Sequence, residues 1–360
     1  MRLWRRFAGL LGSLLAGQAA HAATLPENRA EALVHAYDGG GVTSTGPAFL
    51  VRKSMGERVS VSGSYYVDMV SNASIDVVTN ASPYRETRHQ IDLSADWLVR
   101  DALVSLATSQ SREPDYHASN VSVDVAQEVY GNMTTVSLGF TRGSDDVGRS
   151  DTGFFDRVRT WQYRLGVTQV LSPTWLASVN LEAVSNEGYL ANPYRTARVF
   201  GAAVPERVPR TRSSRAIKLR AIGDLGSRNS VRGEYRLFWD NWDIRAHTAE
   251  VGYSRHVGTQ WLADGLLRYY TQGRALFYSD NAAAETTYIS RNRQLASFNS
   301  VAVGGKLTYR MDNIPARYDA KMTGSYEFKR TSFKDFTDIR TGERYRHDAH
   351  VLQLLFSGTF

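Results

Sequence analysis

The sequence predicts an all-β fold, a transmembrane antiparallel β-barrel of the bacterial outer membrane. Three observations support this prediction: apolar and polar residues alternate with a period of two, the connections between alternating segments are short and long in turn, and the chain ends on an aromatic residue. Its 360 residues include no cysteine, which excludes disulfide frameworks and thiolate sites. With 42% hydrophobic residues the chain is not broadly disordered.

The first 22 residues are predicted to be a cleavable signal peptide that is not part of the fold. Three arginines, the last at Arg6, precede an uncharged apolar stretch, and Ala20-His21-Ala22 places small residues where a signal peptidase reads them. No later segment approaches the roughly 20 apolar residues that a spanning helix needs. Residues 23–360 are predicted to form a single exported barrel domain. Its formal net charge is +4 instead of +7, because the removed segment carries three arginines and no acid.

The period of two defines the individual strands. In residues 88–99, apolar side chains such as Ile91 and Leu93 share one parity, and polar ones such as Gln90 and Asp92 share the other. A strand turns these two sets to opposite faces. The pattern predicts 16 strands, with 14 as the fallback if the first hairpin is absent. The predicted strands lie near residues 30–37, 42–52, 57–68, 88–99, 101–110, 119–129, 133–142, 157–171, 174–185, 212–224, 229–240, 243–257, 261–270, 298–310, 316–328 and 347–360.

Tight turns alternate with long polar loops along these strands. Short turns on one rim and long loops on the other are typical of outer-membrane barrels, whereas a soluble sandwich does not segregate its loops in this way. The long loops are predicted at about residues 69–87, 111–118, 143–156, 186–211, 271–297 and 329–346, with a short connection around Asn241.

The two faces of the predicted barrel differ from those of a soluble protein. Aromatic residues such as Trp97 and Trp175 lie at strand ends, where amphipathic rings suit the lipid headgroup region. The opposite parity carries charges that a soluble core would not tolerate and a wet lumen would. The lumen candidates are Arg164, Lys218, Arg220, Arg232, Glu234, Arg236 and Arg268.

Two interpretations of these lumen charges remain open. On strands 212–224 and 229–240, five cations gather with one acid, and such a patch would attract anions into the lumen. Acidic residues on other strands, such as Glu182 and Asp264, also point inward by parity. Cross-barrel ion pairs would then hold the walls together.

Several loops are candidates for contacts with solutes or lipids. The nearly apolar loop 69–87 is a candidate to fold inward as a constriction or plug, because an exposed apolar loop on a surface protein would be a liability. The arginine-rich loops 186–211 and 271–297 either capture a ligand or bind lipopolysaccharide phosphates, to which the guanidinium geometry is suited. The constriction candidates are Ile75, Asp76, Pro83, Tyr84 and Arg85.

The C-terminus resembles the signal by which barrels are recognised for outer-membrane assembly. Phe360 is the last residue of an alternating strand, and Phe356 shares its parity. The predicted partners are therefore the barrel-assembly machinery, outer-membrane lipid and lipopolysaccharide. Nucleic acid is not expected to bind an exported barrel of this charge.

No enzymatic activity, metal or cofactor is predicted. His347, Asp348 and His350 lie near the start of the last strand, but two histidines three residues apart on a strand face opposite sides. No serine lies in a recognisable nucleophile setting.

A family resemblance rests on several short runs of sequence. These are Tyr66-Val67-Asp68, Ser74-Ile75-Asp76-Val77, Ser82-Pro83-Tyr84, the upstream Asp38-Gly39-Gly40-Gly41 and Val51-Arg52-Lys53. They are similar to an uncharacterised family of proteobacterial outer-membrane β-barrels, described as a domain of unknown function of the three-five-seven-zero type. The resemblance covers essentially the whole mature chain. It implies the fold and location, a periplasmic protein partner of the redox or metal-handling kind, and no established activity.

The sequence therefore predicts a pore or facilitator for small polar or anionic solutes in the outer membrane. The alternative is a non-conducting structural or interaction barrel that partners periplasmic proteins.

Overall fold

Sixteen long strands close into one antiparallel barrel in the computed structural model. The structure describes residues 23–72, 74, 84–149, 151–311 and 318–360. The first strand pairs with the last, with Leu33 opposite Leu355, so the sheet has no free edge. The all-β prediction and the count of 16 are confirmed, including the first hairpin. No helix among the described residues is long and apolar enough to span a membrane.

The strands follow one another around the barrel, except that β10 and β11 form a separate hairpin between β9 and β12. The barrel strands are β1 (Arg29–Gly39), β2 (Val42–Met55), β3 (Val59–Asn72), β4 (Tyr84–Val99), β5 (Ala102–Glu113), β6 (Tyr116–Val129), β7 (Thr134–Arg149), β8 (Phe154–Ser172), β9 (Trp175–Gly188), β12 (Thr211–Gly226), β13 (Asn229–Asp240), β14 (Arg245–Val257), β15 (Trp261–Gln272), β16 (Phe298–Arg310), β17 (Asp319–Thr337) and β18 (Arg344–Thr359). The separate hairpin consists of β10 (Thr196–Val199) and β11 (Ala202–Pro205).

One rim of the barrel, the turn rim, carries the ends of β1 and β18 near the termini together with the short connections. At Gly131 and Gly258 the backbone φ is +64°, a conformation that glycine adopts without a steric penalty. These turns lie where the sequence predicts them. The opposite end of the barrel is the loop rim, and it carries the longer connections together with the two-residue turns at 40–41 and 114–115.

The strands extend further at the loop rim than the sequence predicts. The predicted loop 111–118 is wrong, because β5 and β6 are separated only by residues 114–115. Much of the predicted loops 143–156 and 329–346 is strand as well. The alternation of apolar and polar residues fades in these strand ends because neither face needs to be apolar once the sheet leaves the membrane.

The two faces of the barrel are inverted relative to a soluble protein. Apolar side chains of the outward parity remain exposed, including Val34 at 58%, Leu138 at 59% and Leu267 at 54%. The inward parity carries ion-paired residues such as Arg164, Glu250 and Arg268. Such an outer surface requires an apolar surrounding, as a membrane barrel has.

Candidate functional site

The seven lumen candidates all lie on the inward parity of four barrel strands. Arg164 lies on β8, two candidates lie on β12, three on β13, and Arg268 lies on β15. Their neighbours across the sheet are also inward, as Arg164 lies opposite both Gly139 and Glu182. The structure therefore places these residues on one continuous inner surface.

Six charges on β13 to β17 form one continuous ion-pair network. Arg268 contacts Glu250 at 2.7 Å and Glu327 at 3.3 Å. Arg232 lies 3.6 Å from Glu250 and 4.0 Å from Asp264, and Lys306 lies 3.3 Å from Asp264. Each cation thus neutralises acids on neighbouring strands, and the network joins five adjacent strands of the wall.

Two glycines let arginine side chains reach across a whole strand. Arg164 on β8 pairs with Asp124 on β6 at 2.8 Å, passing over Gly139 on β7. A Cβ at Gly139 would lie 2.1 Å from the carboxylate of Asp124 and 2.7 Å from Nε of Arg164. Gly252 makes the same kind of room for Arg232, whose nearest side-chain atom would lie 2.5 Å from a Cβ.

The remaining candidates are less completely paired. Arg236 lies 3.4 Å from Glu182, whereas Lys218 lies 3.9 Å from Glu234. Arg220 is opposite Glu234 in the sheet register, yet no carboxylate of the described residues lies within 4.0 Å of its guanidinium. Arg220 is therefore the lumen candidate without an ion pair among the described residues.

The paired charges of the lumen differ in their exposure to water, and the side chain of Asp264 in the network is only 9% exposed. The Arg164 side chain is 31% exposed and that of its partner Asp124 is 44% exposed. Ion pairs with this exposure contribute about 0–1 kcal/mol each, because water screens them. The inner surface around Arg164 and Asp124 is therefore a charged wall that water reaches.

A second polar cluster lies in the wall formed by β1 to β4, and it is buried. Asp68 is fully buried, and its carboxylate accepts hydrogen bonds from Ser44 at 2.9 Å and Tyr66 at 3.0 Å. Nε2 of His35 lies 2.6 Å from the carboxylate, and Arg88 donates to it at 3.0 Å. Ser44 bonds to Asp68 and not to His35, so the cluster lacks the order of a nucleophilic triad. It joins four strands at their loop-rim ends.

Residues 189–210 and 273–297 together form a cap at the loop rim. Their backbones bond to each other, with the Arg207 amide donating to Ile289 at 3.0 Å and the Ile289 amide donating to Arg207 at 2.7 Å. Beneath them lies an apolar core that also includes wall residues. Buried members of this core are Val147, Val158, Leu190, Trp242, Ile244, Ala275, Tyr278, Leu295, Ala296, Phe333 and Phe336.

The cap is anchored on separate parts of the rim. The Tyr194 hydroxyl donates to Asp115, in the β5–β6 turn, at 2.5 Å. On the β17 side, Arg291 is 4% exposed; it pairs with Asp280 at 2.7 Å, donates to the carbonyl of Thr337 at 2.6 Å and lies over the ring of Phe336. These contacts hold the cap between the β5–β6 turn and β17.

Charges at the loop rim are fixed by local contacts. A two-pronged hydrogen bond from Arg340 holds the pKa of the Asp338 carboxyl below its usual value. Burial, reinforced by the carboxylates of Glu206 and Asp156, raises the pKa of the Tyr189 hydroxyl. At neutral pH Asp338 is therefore charged and Tyr189 is neutral.

The sequence matches the model of a family described as "Protein of unknown function (DUF3570)" over residues 15–152 and 149–323. The chain belongs to this family. The predicted resemblance is thereby confirmed, and the family description assigns no activity. Among curated proteins, none matches the sequence of this DUF3570 member.

Solved structures similar to this DUF3570 barrel come from outer-membrane proteins. A bacterial polysaccharide outer membrane secretin has a TM-score of 0.54 and 7% identity, with 93% of this chain and 100% of that chain covered. A FadL homologue from Pseudomonas aeruginosa has a TM-score of 0.46 and 11% identity, covering 93% and 90%. OmpT of Vibrio cholerae has a TM-score of 0.45 and 8% identity, covering 93% and 100%. At such identities the likeness to the secretin concerns the fold alone.

The predicted constriction of the DUF3570 barrel falls mostly outside the described residues. This applies to Ile75, Asp76 and Pro83, while the backbone of Tyr84 begins β4 and Arg85 is an exposed residue of that strand. The connection is shorter than predicted, since β3 reaches Asn72. Its role as a constriction stays a prediction.

Other candidates of the DUF3570 sequence occupy the ends of β18. Phe356 is outward and 48% exposed, and Phe360 directly follows the strand with the ammonium of Lys53 4.7 Å from its ring centre. Their role in assembly stays a prediction. His350 bonds to the Tyr326 hydroxyl on the outer face, whereas His347 lies inside beside Tyr345.

The cap of this DUF3570 barrel was not predicted, although its signal is in the sequence. The arginines of loops 186–211 and 271–297 predict contacts with a ligand or with lipopolysaccharide. These loops also carry many apolar residues, and Leu190, Tyr278 and Ile289 are buried in the cap. Two long loops with this composition on one rim indicate mutual packing.

Proposed function

We propose that this protein facilitates the passage of small polar or anionic solutes across the outer membrane through its lumen. Barrels with 16 strands are wide enough to leave an aqueous channel inside. The lumen wall carries water-accessible charges from both signs, as porin interiors do. The proposal includes export by the signal peptide at residues 1–22 and a loop rim that faces the cell exterior.

The observation that carries this proposal is that the guanidinium of Arg220, on the lumen wall, has no carboxylate of the described residues within 4.0 Å. Paired charges cancel one another at a distance, so a guanidinium outside an ion pair makes the local potential more positive. A permeating anion would meet this positive charge between β9 and β13, on the strand β12.

Solute entry into proteoliposomes tests the proposed function directly. Vesicles that contain the refolded mature protein are expected to swell in isotonic arabinose. They are also expected to swell faster in isotonic sodium gluconate than in an isotonic salt of a large cation. Vesicles with the same amount of heat-unfolded protein are the control. Equal swelling rates in both preparations would rule out solute passage.

Replacing Arg220 with Gln is expected to lower the chloride-to-potassium permeability ratio about four- to sixteenfold. Across about 5–10 Å of water a unit positive charge stabilises chloride and destabilises potassium by about 0.4–0.8 kcal/mol each, so the ratio changes by about twice that free energy. The double variant R220Q/R236Q is expected to lower the ratio further, because Glu182 then loses its partner. The reversal potential under a KCl gradient measures the ratio.

Arg255→Gln is the matched control for this prediction, because Arg255 is an exposed arginine on the outward parity of β14. It is expected to leave the reversal potential unchanged. If R220Q and R255Q behave alike in a conducting protein, Arg220 has no part in ion selection.

The second candidate function is a non-conducting barrel that interacts with periplasmic proteins. The apolar core of the cap favours it, because Trp242 and Phe336 are buried where solutes would enter. A cap that never opens would leave the lumen closed at the loop rim. A periplasmic partner would then bind at the turn rim.

A further inference from the structure

An apolar groove of about 690 Å³ crosses the outer face of the barrel from β6 to β13. Two rows of outward side chains line it, and each row follows the register of adjacent strands. One row contains Val123, Phe140, Tyr163, Ala183, Arg215 and Trp239. The inward-parity residues between the rows, Gly139, Arg164, Glu182 and Ala216, complete the lining. The groove thus lies on the surface that faces the lipid.

The groove rises from the middle of the apolar surface toward the loop rim. Val123 lies six positions from Val129, the turn-rim end of β6, whereas Arg215 lies eleven positions from Gly226, the turn-rim end of β12. Strand tilt in a barrel produces this climb along a row of paired residues. The depression follows from small Ala183, which separates Tyr163 from Arg215.

Two arginines and a tryptophan stand at the upper end of the groove. Arg215, Trp239 and Arg245 are opposite one another on β12, β13 and β14. Both arginines are exposed, and in the part of the chain that the structure describes neither pairs with a carboxylate. Strands are about 4.8 Å apart, so two long side chains separated by one strand can reach a single anion.

We propose that this groove binds one phosphate-bearing lipid of the outer leaflet, namely lipid A. An acyl chain lies along the apolar groove, and Arg215 and Arg245 bind the phosphate with the indole of Trp239 between them. Guanidinium groups bind phosphate with two parallel hydrogen bonds, and tryptophan is favoured at the level of the headgroups. The site is separate from the lumen, so it does not depend on solute passage.

The combination of groove and charge favours a lipid over free phosphate. The cation pair alone would serve either ligand. The groove, however, is lined by side chains such as Leu138, Leu165 and Leu181, which offer an acyl chain apolar surface and give a phosphate ion nothing. Filling the groove should therefore weaken binding as removal of the arginines does.

Native mass spectrometry of the whole mature barrel with bisphosphorylated lipid A tests this proposal. The wild type is expected to retain one lipid A. R215Q/R245Q is expected to bind it about a hundredfold more weakly, since each of the two lost charge-assisted contacts contributes about a factor of ten. Ala183→Trp, which fills the groove, is expected to lose binding as well. R255Q, on the same face near the turn rim, is the matched control and is expected to bind as the wild type does.

Three results would overturn the proposal. The first is lipid A binding by R215Q/R245Q that equals that of the wild type, and the second is the same result for A183W. The third is displacement of lipid A by an equal concentration of inorganic phosphate, which would identify a phosphate site without a lipid. The difference in electrophoretic mobility between unheated and heated samples shows whether each variant is folded. If A183W does not fold, Ala183→Leu is the substitute with the same expected direction.

Discussion

Replacing residues 274–296 with a short Gly-Ser linker is expected to raise single-channel conductance several-fold. This segment is one half of the cap, and its backbone holds the other half through the hydrogen bonds between Arg207 and Ile289. Without it, the loop rim loses the cover above a wet, charged lumen. Step size in a planar bilayer under symmetric KCl measures the change.

The matched control is a replacement of residues 339–342, which connect β17 and β18 at the same rim without being part of the cap. Its conductance is expected to equal that of the wild type. Arg291→Ala is a milder variant that removes the contacts to Asp280 and Thr337 and should increase the frequency of large steps. Unchanged steps in both cap variants would show that the cap does not limit passage.

Replacing Asp68 with Ala is expected to lower the free energy of unfolding by about 3–5 kcal/mol. Asp68 is fully buried and is the shared acceptor for four strands of wall. Its removal leaves the charge of Arg88 buried without this partner and takes away the acceptor of Ser44 and Tyr66. Removing one member of a buried ion pair destabilises a protein more than replacing both members does. Urea unfolding in lipid vesicles, followed by tryptophan fluorescence, measures the loss.

Asp92→Ala is the control for this prediction. Asp92 lies on the inner parity of β4 and accepts hydrogen bonds from Ser64 and Gln90 at 2.9 Å, but it has no cation partner among the described residues and is only half-buried. Its loss is expected to cost about 1 kcal/mol. Equal effects of the two variants would mean that the buried cluster at Asp68 does not stabilise the wall.

The barrel could be predicted because its period of two is imposed by two different solvents. Lipid on one side and water on the other force residues such as Leu93 and Asp92 onto opposite faces. Where both sides are water this constraint ends. The outer part of β7, between Gly143 and Arg149, was therefore interpreted as a loop although it is a strand.

The lumen charges could be placed by parity, but their pairing could not. The sequence indicated that Arg236 and Glu182 both point inward. Arg236 on β13 and Glu182 on β9 meet because β12 lies between these two strands in the barrel. The sequence does not show this neighbourhood, since β9 and β12 are far apart in the chain. The reach of Arg164 over Gly139 likewise requires the three-dimensional register.

The cap was missed for a related reason. Its residues have no repeating pattern, and burial of Trp242 and Phe336 arises from packing between two loops and the wall. Long loops reveal such packing only through their composition. The arginines of these loops, taken alone, indicated lipid or ligand contacts, whereas Arg291 is buried under Phe336 and holds the cap.

Reversal potential and single-channel conductance of the refolded mature protein, measured in a planar bilayer under a KCl gradient, test the central claim most directly. Stable steps with a preference for chloride are expected, because water-accessible charges line the lumen and Arg220 has no carboxylate of the described residues within 4.0 Å. A demonstrably folded barrel that stays silent, both intact and without residues 274–296, would contradict a solute path through the lumen.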